Sequence, residues 1–216
     1  MLREKTISLI IPAYNEAKRI GSVLSKIPDF VDEIIVVDDG SKDNTSEVAK
    51  NWGAKVIRLK QNQGKGAAMK AGINEASGDI IVFMDADGQH NPKEIEKLII
   101  PIINDEADFV IGSRLIKTQG KRPLIRKLSN FLSTFLIKLK LGIEVKDTQS
   151  GFRAIKREFL PDIESKRYEV ETELLIKAVK KGARVKETPV ERIYGIETGH
   201  FRFEDIIRFL KVLFKY

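Results

Sequence analysis

Short apolar runs rich in isoleucine and valine alternate with amphipathic segments along the first half of the chain. The apolar runs predict strands at Thr6–Ile11, Glu33–Val37, Lys55–Leu59, Ile80–Met84 and Phe109–Ile111. The amphipathic segments predict helices at Glu16–Ile27, Asn44–Trp52, Gly64–Ala76 and Pro92–Ile103. Strands that are apolar on both faces and alternate with helices are typical of a buried, mostly parallel sheet. The pattern therefore predicts an α/β fold.

The second half of the chain has a different pattern, in which three helical segments dominate. Apolar residues spaced by three and four predict a helix over Pro123–Leu141, and further helices are predicted over Glu171–Lys180 and Glu204–Tyr216. No internal repeat or low-complexity linker separates the halves. We therefore expect one domain over residues 1–216, in which 1–112 binds one substrate and 113–216 the other.

Composition narrows the class of protein. The chain has 216 residues, 42% of them apolar, which is enough to bury a sizeable core. It has no cysteine, which excludes disulfides and thiolate metal sites. No apolar stretch approaches the roughly 18 residues of a spanning helix, and the first residues lack the apolar core of a signal peptide. We expect a protein that is soluble or peripheral to a membrane.

Charge is divided unevenly along the sequence. Residues 1–112 carry 14 Lys and Arg against 18 Asp and Glu, whereas residues 113–216 carry 24 against 13. The basic half indicates an anionic partner such as a phosphorylated substrate, an anionic lipid or a nucleic acid, although a solvated lysine-rich surface has the same composition. No aromatic-basic RNA motif or recognition helix accompanies the charge, which argues against nucleic acid.

Polar loops follow three of the predicted strands. They contain Tyr14 and Glu16, then Asp38 and Asp39, and then Asp85-Ala86-Asp87 with Gln89 close behind. Ligands of open α/β sheets bind at the carboxyl ends of the strands, so we expect these loops to converge on one site. Two carboxylates one residue apart suit Mg²⁺ or Mn²⁺ bound to a diphosphate, although a pair of loop caps has the same spacing.

A glycine-rich turn precedes the third predicted helix. Gly64-Lys65-Gly66 indicates an anion site, because the N–H groups at a helix start and a lysine both favour negative charge. An ordinary helix-start loop is the alternative for the two glycines.

Taken together, these motifs resemble the family 2 glycosyltransferases of the GT-A fold. The resemblance is carried by four segments, Ser8–Glu16, Val36–Ser41, Gly64–Gly66 and Met84–His90. It implies a Rossmann-like GT-A sheet and a nucleotide-sugar donor. It also implies a nucleotide site formed by Pro12, Ala13, Tyr14, Glu16, Asp39, Lys65, Asp85, Ala86 and Asp87, and a Mg²⁺ or Mn²⁺ site formed by Asp85, Asp87 and Gln89.

Motifs of the second half are similar to those of dolichyl-phosphate mannose synthase and other polyprenyl-phosphate sugar transferases. They are Gly112–Arg114, Pro123–Asn130, Asp147–Ala154 and Arg192–Gly195. The resemblance implies that Arg114, Arg126, Ser129 and Arg192 bind the phosphates. Asp147 would orient a sugar hydroxyl or an arginine, or would cap the loop before Ser150. Arg153 is expected to form a surface ion pair, and His90 and His200 are not expected to bind metal.

The implied reaction is inverting, metal-dependent transfer of a hexose to dolichyl or polyprenyl phosphate, with GDP-mannose as donor. UDP-glucose or UDP-N-acetylglucosamine is the alternative, because the residues after Arg192 depart from the Gly-Glu-Ser-Lys run of the mannose synthases. A non-catalytic nucleotide- or membrane-binding module is the alternative of another class. Because a prenyl chain lies in a bilayer, we expect the first and last helices of the second half to contact the membrane interface, although packing on the core would also explain their apolar faces. The expected location is the cytoplasmic face of a membrane, with or without an anchoring subunit, in a pathway such as protein glycosylation.

Overall fold

The computed structural model describes residues 5–115, 124–191, 193 and 203–216, with side chains from residue 132 in the fifth helix and from residue 207 in the last. The strands are β1 (Ile7–Ala13), β2 (Glu33–Asp38), β3 (Lys55–Arg58), β4 (Ile80–Phe83), β5 (Phe109–Ser113), β6 (Arg153–Lys156) and β7 (Val185–Pro189). The helices are α1 (Ala17–Leu24), α2 (Thr45–Asn51), α3 (Lys65–Glu75), α4 (Ile95–Ile103), α5 (Leu124–Leu141), α6 (Val170–Lys180) and α7 (Phe203–Lys215).

The seven strands form one sheet in the order β3-β2-β1-β4-β6-β5-β7. Strand β6 runs antiparallel to both of its neighbours, and the other pairings are parallel. The predicted α/β class and mostly parallel sheet are confirmed. The sequence pattern predicted β1 to β5 and α1 to α7 but missed β6 and β7. The pattern missed β6 because the strand begins and ends with a charged residue, Arg153 and Lys156. It missed β7 because that strand is only half buried.

Helices cover both faces of the sheet. Along β1, Leu9 and Ile11 join one apolar cluster with α1 and α4, while Ile10 joins a second cluster with α3 and α6. This alternation follows from the period of two along a strand and explains why the strands are apolar on both faces. Helix α3 packs very close to the sheet, because a Cβ at Gly72 would lie 2.5 Å from Ile10 Cγ2.

Helices α5 and α7 pack on the core with only part of their apolar faces. Ile137, Val212 and Leu213 are buried in the second cluster, so part of each apolar face packs on the core. The rest is exposed, with 75% of Leu139 and 79% of Phe214 accessible to solvent. Within the described part of the chain, none of the helices combines the length and the apolarity needed to cross a bilayer.

A buried aspartate joins the three strands at one edge of the sheet. The Asp108 carboxylate, just before β5, accepts hydrogen bonds from Arg184 Nε at 2.8 Å and from the Arg184 backbone N–H at 3.0 Å. Its Oδ1 also lies 2.6 Å from Lys156 Nζ at the end of β6. The hydrogen bonds from Arg184, which outweigh the effect of burial, and the contact with Lys156 hold the pKa of Asp108 well below its usual range.

This pKa shift predicts how stability depends on pH. Because the folded pKa of Asp108 lies below the unfolded value of about 3.9, its contribution is fully present above that value and is lost as the pH falls. We expect Asp108→Asn to lower the melting temperature above about pH 5, and the gap from the wild type to narrow below about pH 4. Circular dichroism melts between pH 7 and pH 2.5 would measure this. The exposed Asp29→Asn is the control, and a gap that stays constant with pH would contradict the role of Asp108.

Candidate active site

The polar loops converge at one edge of the sheet, as the sequence predicted. Strands β2, β1 and β4 are adjacent and parallel, so the loops after them leave the sheet side by side. Asn15 and Ser41 join the first two loops, because the Asn15 backbone N–H donates to Ser41 Oγ at 2.8 Å and Asn15 Oδ1 accepts from the Lys42 backbone N–H at 2.8 Å. Asn15 has a positive φ of 56°, which brings its side chain back over the neighbouring loop.

The two aspartates after β2 are buried and hold the backbone of the site. Asp38 accepts hydrogen bonds from the Ser41 backbone N–H at 2.7 Å and from the hydroxyl of Ser46. Asp39 accepts from the backbone N–H groups of Gln63 at 2.7 Å and Gly64 at 2.8 Å. Asp39 therefore fixes the start of α3 against the end of β2, in addition to any contact with a nucleoside.

Asp85 and Asp87 follow β4 and differ in their electrostatics. Burial opposes ionisation of Asp85, but the charge and hydrogen bond of Lys65, together with the nearby charge of Arg114, outweigh burial and lower the pKa of Asp85. Burial and the charge of Asp85 raise the pKa of Asp87. Gln89 holds Asp87 through its backbone N–H at 2.9 Å and its side-chain amide at 2.7 Å. The pair therefore has one firmly ionised carboxylate and one that is held in place.

His90 lies behind this loop rather than in it. Its ring is 2% exposed, sits 5.0 Å from the Phe152 ring, and places Nε2 at 3.9 Å from Asp85 Oδ2. Burial lowers the pKa of His90 to about 4, so its imidazole is neutral at physiological pH. No hydrogen-bond partner for its Nδ1 is found among the described residues.

The lysine of the glycine-rich turn contacts two carboxylates. Lys65 Nζ pairs with Asp85 Oδ1 and lies 2.7 Å from Glu171 Oε1 at the start of α6. Gly151 closes this cluster, because a Cβ there would lie 2.5 Å from Asp85 Oδ2 and 2.6 Å from Lys65 Nζ. Only glycine fits at position 151 without displacing the ion pair.

The start of α3 is not the open anion site that the sequence suggested. The backbone N–H groups of Gly66 and Ala67 both donate to the Lys166 carbonyl, at 2.9 Å and 3.4 Å. A Cβ at Gly66 would lie 2.0 Å from the Ser165 carbonyl oxygen. The glycines therefore allow the 165–166 segment to approach the helix, and this segment caps the N–H groups that the prediction had left for an anion.

Arg114 is held by Asp147. Asp147 accepts from Arg114 Nε and Nη2, both at 2.9 Å, and is itself positioned by Glu187, which accepts the Asp147 backbone N–H at 2.8 Å. Burial disfavours the Asp147 carboxylate, but Arg114 outweighs this effect and lowers the pKa of Asp147. Asp147 therefore orients an arginine, which is one of the roles that its sequence position suggested. Arg114 lies close enough to Asp85 and Asp87 to favour their ionised forms.

Arg153 was predicted to form a surface ion pair, and that prediction is wrong. Its side chain is 1% exposed and donates to the backbone carbonyls of Ser150, Glu171 and Thr148. The antiparallel position of β6, which the sequence pattern missed, carries this side chain into the interior. It ties the Asp147–Gly151 loop to the first turn of α6.

The remaining predicted residues divide into two groups. At the end of β1, Pro12 is half buried and Ala13 is buried. In the loop that follows, Tyr14 is exposed, while Glu16 pairs with Arg19 at 3.0 Å and burial raises the pKa of Glu16. Ala86 is buried between the two aspartates. The side chains of Arg126 and Ser129, and Arg192 and His200 as a whole, lie outside the described residues. The backbone N–H of Ile193 donates to the Gln89 carbonyl at 3.0 Å, so the chain next to Arg192 lies beside the Asp85–Gln89 loop.

Sequence reasoning missed Glu171 and Gly151. Acidic residues are common in the first turn of any helix because of the helix dipole, so Glu171 and Glu173 carried no distinctive signal. The structure separates them, because Glu171 faces Lys65 while Glu173 accepts the backbone N–H groups of Glu164 at 3.0 Å and Ser165 at 2.7 Å.

The residues present fit a divalent cation that is completed by substrate oxygens. Asp85, Asp87 and Gln89 bring hard oxygen donors together, and the Lys65 ammonium against Asp85 shows that the loop attracts positive charge. Among the residues described, no group of three or more His, Cys, Asp or Glu side chains could hold a metal ion. Few protein ligands, with the rest from water and phosphate, are the usual arrangement for Mg²⁺.

Comparison with known proteins agrees with this geometry. The model of the glycosyl transferase family 2 matches residues 8–163, so the chain belongs to this family of enzymes and is a glycosyltransferase. Its structure is similar to that of glucosyl-3-phosphoglycerate synthase from Mycobacterium tuberculosis in complex with Mn²⁺, uridine diphosphate and glucosyl-3-phosphoglycerate. The TM-score is 0.75 at 26% identity, over 98% of this chain and 80% of that chain.

Two relatives carry names that specify a lipid acceptor. A UDP-N-acetylglucosamine–dolichyl-phosphate N-acetylglucosaminyltransferase of Methanococcus voltae is 40% identical over 89% of this chain and 88% of its own. A dolichol-phosphate mannosyltransferase of Pyrococcus furiosus is 37% identical over 85% of this chain and 55% of its own. The relatives share a lipid-phosphate acceptor and differ in their sugar.

Proposed function

We propose that this glycosyltransferase transfers a hexose from a nucleotide-sugar to a dolichyl or polyprenyl phosphate. The observation that carries the proposal is that the Asp85–Asp87 carboxylates lie beside the Asp147–Gly151 loop, since a Cβ at Gly151 would lie 2.5 Å from Asp85 Oδ2, and that Asp147 of this loop holds the guanidinium of Arg114. A carboxylate pair suits a metal-bound diphosphate, and a fixed guanidinium suits a second phosphate. The names of the two relatives support the lipid acceptor.

The reaction needs no general base. A phosphate monoester has a second pKa of about 6, so it is largely dianionic and nucleophilic at neutral pH. A phosphate oxygen attacks the anomeric carbon as the bond to the nucleoside diphosphate breaks, which inverts the configuration and releases that diphosphate. Arg114, with Arg126 and Ser129, would bind the acceptor phosphate, and Arg192 the leaving diphosphate.

The donor is bound by the loops after β1, β2 and β4. Pro12, Ala13 and Tyr14, with Glu16, Asp39 and Lys65, would hold the nucleotide beside the Asp85–Asp87 loop. Mg²⁺ or Mn²⁺ held by Asp85, Asp87 and Gln89 would act as a Lewis acid on the leaving diphosphate. The protein's contribution is then to fix the two phosphate-bearing substrates and to compensate their charge.

A donor screen tests the proposal. The protein would be incubated with labelled GDP-mannose, UDP-glucose or UDP-N-acetylglucosamine, together with Mn²⁺ and a prenyl phosphate. We expect labelled lipid with one of the three donors. The motifs of the second half favour GDP-mannose, and the name of the Methanococcus voltae relative favours UDP-N-acetylglucosamine. An arm with 3-phosphoglycerate in place of the lipid distinguishes a water-soluble acceptor. Transfer only to that acceptor would overturn the proposal.

Exposed apolar residues on α5 and α7 suit an approach to the bilayer. Leu139 and Phe214 are largely exposed, and Lys138 and Lys140 lie beside Leu139. We therefore propose that these helices contact the cytoplasmic face of a membrane, with the lysines near anionic head groups.

Membrane contact predicts a measurable loss of vesicle binding. Burying a large apolar side chain contributes about 1.5–3 kcal/mol, so Leu139→Gln with Phe214→Gln should weaken binding to vesicles containing phosphatidylglycerol at least about tenfold. Flotation with such vesicles would measure this. Trp52→Gln is the matched control, because Trp52 is 52% exposed but follows α2, away from α5 and α7. Equal binding by all variants would contradict membrane contact through these helices.

A further inference from the structure

The Lys65 ammonium contacts a carboxylate for which a bound cation would compete. It lies between Asp85, which follows β4, and Glu171, in the first turn of α6. The Lys65 side chain is 14% exposed and that of Glu171 is 6% exposed. Two elements that are distant in sequence therefore supply one carboxylate each to a single enclosed ammonium.

The surroundings leave the ammonium little room. The backbone at Gly151 closes one side, since even a Cβ there would lie 2.6 Å from Lys65 Nζ. The start of α3 is fixed, because the Gly64 backbone N–H donates to Asp39 and the Gly66 backbone N–H donates to the Lys166 carbonyl. The backbone that carries Lys65 is therefore fixed, and its ammonium is enclosed beside Asp85 and Glu171.

A divalent cation on Asp85 would compete with this ammonium. Two cations on one carboxylate repel each other strongly where water is largely excluded. Lys65 must then give up Asp85, and a buried ammonium without a partner would cost free energy. Glu171, which already lies 2.7 Å from Lys65 Nζ, is the carboxylate that remains.

We propose that Glu171 is a positioning residue that retains the Lys65 ammonium when a divalent cation takes Asp85. Lys65 then serves as the counterion of Asp85 in the metal-free protein, and Glu171 makes its displacement possible. This inference rests on the metal site of the proposed function. It gives Glu171 a role that acts through Lys65, which distinguishes it from a direct contact between Glu171 and the metal.

A double-mutant cycle separates these two roles. The dissociation constant of Mn²⁺ would be measured by electron paramagnetic resonance for the wild type, Glu171→Gln, Lys65→Met and the double variant. Each protein would be measured at saturating GDP or UDP and again without nucleotide, because Lys65 is also proposed to contact the nucleotide. Glu171→Gln should weaken Mn²⁺ binding about tenfold, because the ammonium is left with Asp85 alone, and Lys65→Met should strengthen it. In the Lys65→Met background, Glu171→Gln should change the constant less than about threefold.

Two outcomes would overturn the inference. An equal loss from Glu171→Gln with and without Lys65 would mean that Glu171 acts on the ion directly. No change from either single variant would mean that the ammonium does not compete. Glu171→Gln preserves side-chain shape, and Lys65→Gln replaces Lys65→Met in the cycle if the latter does not fold. If the wild type binds no Mn²⁺ with either nucleotide, the metal site of the proposed function is wrong as well. If the wild type binds Mn²⁺ but the effects of the two substitutions are additive, only the role of Glu171 is wrong.

Discussion

Asp87→Ala is expected to lower kcat/KM for glycosyl transfer about 10³-fold, because it removes one of the two carboxylates that would hold the cation on the leaving diphosphate. Stability should change little, since Asp87 is partly exposed and its described hydrogen bonds are to Gln89 alone. The measurement is a rate of sugar transfer from the donor that the screen identifies, with a melting curve to verify the fold.

Asp29→Ala is the matched control, because Asp29 is an exposed aspartate between α1 and β2, away from the Asp85–Gln89 loop. It should keep the wild-type rate. Full activity of a folded Asp87→Ala protein would remove the metal site and, with it, the proposed mechanism.

Arg153→Met should lower the free energy of unfolding by at least about 3 kcal/mol, because each buried carbonyl left without its donor costs about 1–3 kcal/mol. The substitution keeps most of the apolar volume but removes the donors to three buried carbonyls, those of Ser150, Glu171 and Thr148. Urea unfolding followed by circular dichroism would measure the change.

Arg58→Met is the control for the loss of an arginine. The Arg58 side chain is 57% exposed, donates to the Ser41 carbonyl at 2.8 Å and lies 3.8 Å from the Asp38 carboxylate, so its loss should cost about 1 kcal/mol, well below the cost for Arg153. Equal destabilisation by the two variants would mean that the burial of Arg153 adds nothing to its contribution. Because Arg153 ties the Asp147–Gly151 loop to α6, its loss should also displace Gly151 from the Lys65–Asp85 pair.

Periodicity alone determined most of the sheet and the helices around it. The strands β1 and β4 are nearly uniform apolar runs, and local hydrophobicity is the main signal of a buried strand. The polar loops at the strand ends could be assigned to one site for the same reason, since parallel strands present their carboxyl ends at one edge. Asp85 and Asp87 were found in this way, and so was the position of Asp39.

Only the tertiary structure decided which charges meet. Strand β6 contains Arg153 and Lys156, whose charges oppose burial unless distant backbone and carboxylate groups compensate them, and no local pattern reveals such partners. The pairing of Lys65 with Glu171 spans more than a hundred residues, and the capping of α3 by the Lys166 carbonyl nearly as many. Hydrophobic burial is read from each segment by itself, whereas the free energy of a buried charge depends on what the fold brings beside it.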